Sequence, residues 1–424
     1  MNPQTCDEKG NICSYSVFNA LSFATDLFER TKTGHAKRVA YTSLKLAGHM
    51  GMSIADMNRL FNAAILHDVG IGFGINDAYQ EDREYTKADH VKKGASIVEE
   101  FFHDQVITDA VLYHHENFDG SGYLGVRGTD IPLFAGLINL ANYLDTIYER
   151  RTTYSEARKE NQAAIAKQSG ILFDPLHVAA FIEMTVAERF WLDYRHENFD
   201  SMLERIISYN QIIIELDDLI KVAHVFAKMI DDKSKFTKEH SNNVAFYMRE
   251  TAKMKHYDEE TQKKVYIAGL FHDVGKVSVP SSILDKPGPL SLEERNHIKV
   301  HSYYTRLILD NIPNIDDIAR WASNHHELID GTGYPERLKE DELDYFSRLI
   351  TVCDIYEALS ENRPYRKAMS YEEAWQTLHE MRDEHVLCPE ACRDLKAVTD
   401  LMILEENEKE LKSAINFDRQ EFEI

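Results

Sequence analysis

Phe271-His272-Asp273-Val274-Gly275-Lys276 sets an imidazole and a carboxylate side by side in an apolar stretch, with Ile267, Ala268 and Leu270 before it and Val277 and Val279 after. A carboxylate among apolar residues is costly unless a charged group sits against it. A divalent cation is the simplest such partner, since neutral imidazole and carboxylate both ligate first-row metals. The pair occurs twice, because Leu66-His67-Asp68-Val69-Gly70 repeats it earlier in the chain. Working outward, the first pair is flanked by His35, His90, His114 and His115, and the second by His240, His301, His325 and His326. His35 to His67 and His240 to His272 both span 32 residues, and His90 to His114 and His301 to His325 both span 24. His67 to His90 spans 23 where His272 to His301 spans 29, and the second interval carries the extra prolines Pro280, Pro287 and Pro289. Asp145 follows His115 by 30 residues and Asp354 follows His326 by 28.

The neighbourhoods repeat as well. His114-His115-Glu116 leads to Asp119-Gly120-Ser121-Gly122-Tyr123, and His325-His326-Glu327 leads to Asp330-Gly331-Thr332-Gly333-Tyr334. The chain therefore reads as two copies of one domain of roughly 190–210 residues. The boundaries expected are 1–190 for the first copy, 191–235 for a connecting helix, and 236–424 for the second copy. Ile206, Ile207, Ile212, Ile213, Ile214, Leu216 and Leu219 give that connector its apolar face.

Period-3.6 patterning dominates. Val39, Leu44 and Leu46 form a stripe after His35, and Ile131–Glu149 predicts a long apolar helix containing Asp145. Ser53 reads as a helix cap. Alternating β-branched runs are scarce, so the class expected is all-α. The 43% hydrophobic content over 424 residues suffices for two substantial cores. The formal charge of −23 argues against a nucleic-acid polymer or an anionic membrane as partner. A small anionic substrate remains compatible, because a bound metal reverses the local field. Five cysteines with no C-x-x-C point to a reduced, cytoplasmic setting. No signal peptide or membrane-spanning run is read.

Each half offers five imidazoles and two carboxylates. A single catalytic zinc takes about three protein ligands. Seven suit two ions with a bridging carboxylate, and the lack of thiolate favours iron or manganese over a structural zinc. Two adjacent metals activate water and clamp both oxygens of an in-line phosphoryl displacement, so phosphodiester hydrolysis is the chemistry this set serves best.

These residues resemble the HD-GYP phosphodiesterases. In the second half the likeness runs through His240, His272-Asp273 with Lys276, His301, His325-His326-Glu327, Gly333-Tyr334-Pro335, Asp354 and Arg363-Pro364-Tyr365-Arg366. The resemblance implies two tandem helical-bundle domains of the HD superfamily, joined by the long helical connector. It implies an enzyme that opens a bacterial cyclic dinucleotide, c-di-GMP or 3′,3′-cGAMP, to the linear form. By carry-over His240, His272, Asp273 and Asp354 hold one ion, and His301, His325 and His326 a second, with Asp273 bridging. Asp273 and Lys276 are the catalytic pair, with Lys276 on the scissile phosphate, and Tyr334, Arg363 and Arg366 bind substrate. Phe236 stands where some members use a glutamate for a third metal, so two ions are expected.

The first half keeps His35, His67, Asp68, His90, His114, His115 and Asp145, enough for a second metal pair. Its substrate positions differ. Ile71 replaces the lysine, Leu124 the proline, and Tyr154 and Ala157 the two arginines. Two readings stand for it: a regulatory or structural copy, or a domain acting on the linear product. For the whole chain the alternatives are a cyclic-dinucleotide receptor without hydrolysis and another HD-type nucleotide phosphohydrolase. The oligomeric state is left open, a homodimer included.

Overall fold

The computed structural model describes residues 11–29, 34–71, 87–149, 153–196, 198–207, 213–233, 239–362 and 367–404. The first stretch of chain gives α1 (Ser14–Glu29), α2 (His35–His49), α3 (Ile54–Ile65), α4 (Lys87–Phe102), α5 (Gln105–Leu112), α6 (Leu133–Ile147), α7 (Tyr154–Lys167) and α8 (Pro175–Met184). Next come α9 (Glu188–His196), α10 (Phe199–Ile207) and α11 (Leu216–Asp231). The rest gives α12 (His240–Met254), α13 (Glu259–Phe271), α14 (Ser281–Leu284), α15 (Leu292–Leu309), α16 (Asp316–Ser323), α17 (Tyr345–Ser360) and α18 (Tyr371–Asp383), and 389–404 are helical too. The strands among the described residues are one antiparallel pair, β1 (Ile12–Cys13) with β2 (Ile213–Ile214). The all-α class holds.

The helices begin where the sequence supplies caps. Ser53 accepts from the Asp56 amide at 3.1 Å, Asp104 from Val106 and Asp258 from Thr261, each satisfying an orphan donor of a first turn. Ser370 and Glu373 complete a capping box on α18. The chain divides into two compact units, 1–215 with 228–233 and 307–315, and 216–227 with 234–306 and 316–424. In the first unit α2 packs on α3 and α6, with Val39, Leu44, Leu46, Leu137, Leu140 and Leu144 buried. In the second, α12 packs on α13 and α17, with Val244, Met248, Ile267 and Leu349 buried.

Two expectations are corrected. The connector at 191–235 is not one helix: its described residues form the end of α9, then α10, β2 and α11. Ile213 and Ile214 are adjacent β-branched residues, which suit an extended pair with β1 better than one helical stripe. The cysteines are not all reduced either. Cys13 is disulfide-bonded, while Cys353, Cys388 and Cys392 are buried free thiols. The lack of a C-x-x-C excludes a metal knuckle but not a single bridge. No helix among the described residues is long and apolar enough to cross a membrane.

One local contact fixes each His-Asp turn. A Cβ on Gly275 would lie 1.9 Å from the His301 carbonyl oxygen, and one on Gly70 would lie 2.1 Å from that of His90. Glycine lets the turn press directly on the helix carrying the third histidine. Gly70→Ala and Gly275→Ala are expected to cost about 3 kcal/mol, the upper end for overpacking. Gly48→Ala, exposed in α2 with its nearest neighbour at 3.7 Å, should be neutral or stabilising by up to ~1 kcal/mol. Denaturant unfolding of the three variants checks this. Equal midpoints for all three would refute it.

Candidate metal centres

The histidines sit where helices run out of hydrogen-bond partners. The last carbonyls of a helix lack an intrahelical donor. After α3, His67 Nδ1–H donates to the Ala64 carbonyl at 2.8 Å, and after α13, His272 donates to Gly269 at 2.7 Å. After α5, His114 donates to Val111 at 2.7 Å, and after α16, His325 donates to Ala322 at 2.7 Å. His301, inside α15, donates to Ile298 at 2.6 Å. These bonds fix the tautomer, leaving each neutral ring a bare lone pair on Nε2.

Those lone pairs converge on one carboxylate per unit. In the second unit Asp273 Oδ2 lies 3.6 Å from His240 Nε2 and 3.2 Å from His272 Nε2. Its Oδ1 lies 3.5 Å from His301 Nε2 and 3.7 Å from His325 Nε2. In the first unit Asp68 Oδ2 faces His35 at 3.5 Å and His67 at 3.0 Å, and Oδ1 faces His90 and His114, both at 3.5 Å. Each carboxylate thus turns one oxygen to each of two imidazole pairs, as a bridging ligand would.

The donor set fits cations. His301 Nε2 and His325 Nε2 are 2.9 Å apart, and with both Nδ1 atoms donating to carbonyls neither neutral ring has a proton to place between them. Two lone pairs at that distance repel unless a positive centre lies beside them. Asp273 Oδ1 and the Nε2 atoms of His67 and His114 are buried with no hydrogen bond. Buried polar atoms of this kind demand a ligand. The groups able to share an ion are His240, His272 and Asp273; His301, His325 and His326; His35, His67 and Asp68; and Asp68, His90, His114 and His115.

The titration behaviour agrees. Burial, with the His326 ring beside it, pushes His301 down to about 3. Burial likewise takes His326 to about 4, against the pull of Asp354 and Asp273. Both stay neutral near pH 7, the form that binds metal. Burial also opposes charge on His240, but the bonds to Asp354 and Glu361 outweigh it and raise that ring to about 9. Burial works against an ionised Asp273, yet His272 and Lys276 hold it well below the usual carboxylate range.

Around the second cluster, Asp354 Oδ1 is 3.1 Å from His240 Nε2 and Oδ2 is 3.6 Å from His326 Nδ1. Lys276, half-buried, pairs with Asp273 Oδ2. The Tyr334 ring lies 4.8 Å from that of His326, and Lys299 sits 5.0 Å over the tyrosine. Around the first cluster, Asp145 lies instead on the far edge of its histidine, 2.7 Å from His35 Nδ1. Ala157 is buried, and Tyr154 faces Glu188. Phe236, Arg363 and Arg366 lie outside the described residues.

Sequence reading missed the supports. The carboxylate of Glu327, buried, accepts the amides of Glu336 at 2.7 Å and Leu338 at 2.9 Å, stapling the loop that carries Tyr334. Glu116 does the same with Leu124 at 2.8 Å and Val126 at 2.7 Å. Thr305 accepts from the Gly275 amide at 3.0 Å and donates to the His272 carbonyl at 2.9 Å, clamping the His-Asp turn. The glutamate directly after each histidine pair was the available signal; Thr305 offered none.

Fold and clusters together define a tandem HD-domain protein of the metal-dependent phosphohydrolase class. Residues 33–147 and 224–386 each match a family model described as HD domain. The 3'3'-cGAMP-specific phosphodiesterase 1 of Vibrio cholerae is 30% identical over 376 residues, spanning 86% of this chain and 86% of that protein. A cyclic di-GMP phosphodiesterase of Pseudomonas aeruginosa is 35% identical over 140 residues, 33% of this chain and 34% of that one. The crystal structure of a Vibrio cholerae cyclic GMP-AMP-specific phosphodiesterase, V-cGAP3, shares the fold with a TM-score of 0.67 at 23% identity, covering 92% of this chain and 98% of that one. The chain belongs to the HD-GYP family of cyclic-dinucleotide phosphodiesterases.

Glu327→Ala removes the shared acceptor of the loop amides, a loss of about 1–2 kcal/mol. Amide exchange at 336–338 is expected to rise by about tenfold or more while α13 stays protected; unchanged exchange there would contradict the staple.

Proposed function

We propose that the second domain hydrolyses 3′,3′-cGAMP, with c-di-GMP as the rival substrate, to the linear dinucleotide. The reading rests on the Asp273 carboxylate, whose two oxygens face the separate pairs His240–His272 and His301–His325. A cyclic GMP-AMP substrate is favoured because a relative named for it matches 86% of each chain, whereas two relatives named for c-di-GMP match 33% and 44% of this one.

Two divalent ions, iron or manganese, would be held by His240, His272, Asp273 and Asp354 on one side and His301, His325 and His326 on the other, with Asp273 bridging. Such ions supply an activated water and neutralise phosphate charge. His272, His301 and His325, each held through Nδ1 on a backbone carbonyl, keep their Nε2 atoms aimed into that site. Lys276 stands beside Asp273 and reaches a non-bridging phosphate oxygen, offsetting charge that develops there. The Tyr334 ring walls the substrate next to His326, and Arg363 and Arg366 bind its phosphate or base. Hydrolysis adds one water across one diester: oxygen bonds to phosphorus, the P–O3′ bond breaks, and the 3′ oxygen takes the proton. The first domain, with Ile71, Leu124, Tyr154 and Ala157 at the substrate positions, is a regulatory copy that does not open the ring.

Asp273→Ala should cut ring opening to below about a thousandth of wild type and lower the bound metal. His272→Ala should abolish cleavage, whereas His67→Ala should keep most of it. Chromatography of products from 3′,3′-cGAMP and c-di-GMP, run on metal-loaded full-length protein, decides. Wild-type turnover by Asp273→Ala would overturn the proposal. Tight binding of either compound without product would establish a receptor instead.

A further inference from the structure

The two clusters differ at their second aspartate. Asp354 turns one oxygen to His240 Nε2 at 3.1 Å and to His272 Nε2 at 3.8 Å, the edge on which an ion would sit. Asp145 lies on the opposite edge of its histidine, 2.7 Å from His35 Nδ1. Arg38 explains the difference. Its Nε donates to Asp145 Oδ1 and its Nη2 to Oδ2 at 3.2 Å, and the Tyr194 hydroxyl adds a bond to Oδ1 at 3.1 Å. With His35, four donors occupy a carboxylate that offers about four lone-pair sites. All of these groups are buried: Arg38 is 3% exposed, Asp145 5% and Tyr194 0%.

Among the described residues the second domain shows no counterpart. Three residues after His240 stands Asn243, which donates to Glu357 at 2.7 Å, and no lysine or arginine pairs with Asp354 among the described residues. Lys276 is not the equivalent of Arg38, because it follows the His-Asp pair where Ile71 stands in the first domain. A second ion beside His35 and His67 would therefore share the single carboxylate Asp68 with its neighbour, close to a guanidinium that is fixed in place. That edge is one carboxylate short of its counterpart beside His240 and His272.

We infer that Arg38 is a built-in cation that takes Asp145 away from metal ligation, so that the first domain retains one ion, on Asp68, His90, His114 and His115, where the second retains two. This rests on the reading that both clusters bind metal. Asp145 acts as a positioning residue that orients His35 through Nδ1.

Full-length protein equilibrated with Mn2+, desalted and counted by plasma mass spectrometry tests it. Wild type should carry three ions per chain, Asp145→Asn three, and Asp354→Asn two. Four ions in wild type, or loss of one in Asp145→Asn as in Asp354→Asn, overturns the inference. No manganese in wild type would sink the metal reading beneath it, a separate outcome. Arg38→Asn, which installs the residue found at 243, frees Asp145 and should raise the count to four; three in that folded variant would refute the role of Arg38.

Discussion

A buried carboxylate facing four imidazoles is the constraint on which each domain is built. Asp273 and Asp68 are at most 7% exposed, and neither can keep its charge there without positive groups around it. Two rings of each set, His67 with His114 and His272 with His325, are held by helix-end carbonyls, so their Nε2 atoms point inward. Helices end where they do because the terminal carbonyls need donors, and the imidazoles supply them. Local helix termination and site geometry are thus the same set of hydrogen bonds.

The second support is steric. The glycine two residues after each aspartate brings the turn into contact with the backbone of the helix bearing the third histidine. Any side chain there would push His90 or His301 away from the carboxylate it faces. Further out, a buried glutamate gathers the loop amides beneath Tyr123 in one domain and Tyr334 in the other. Both domains keep these devices, so the shared scaffold survives independently of what each does with it.

The copies diverge in how charge is managed around the scaffold. One places a lysine beside its central carboxylate and leaves its second carboxylate on the open nitrogen edge of the histidines. The other has isoleucine at the lysine position and commits its second carboxylate to a buried arginine and tyrosine. The first arrangement keeps both carboxylates on the side where the imidazole Nε2 atoms converge, with the lysine paired to one of them. The second satisfies its charges internally.

The spacing of histidines and aspartates was enough to find both clusters, the all-helical class and the duplication, because metal ligation leaves few residue types to choose from and repeats expose themselves by interval. Caps such as Ser53 were equally legible, since their partners lie within one turn. What sequence could not give is which edge of a ring a carboxylate approaches. Asp145 and Asp354 hold matching positions in the two copies, yet one meets Nδ1 and the other Nε2. That choice was made by Arg38 and Tyr194, the latter 49 residues away along the chain. Interval and residue type fix what a site can hold; only long-range packing brings in the neighbours that compete for its oxygens.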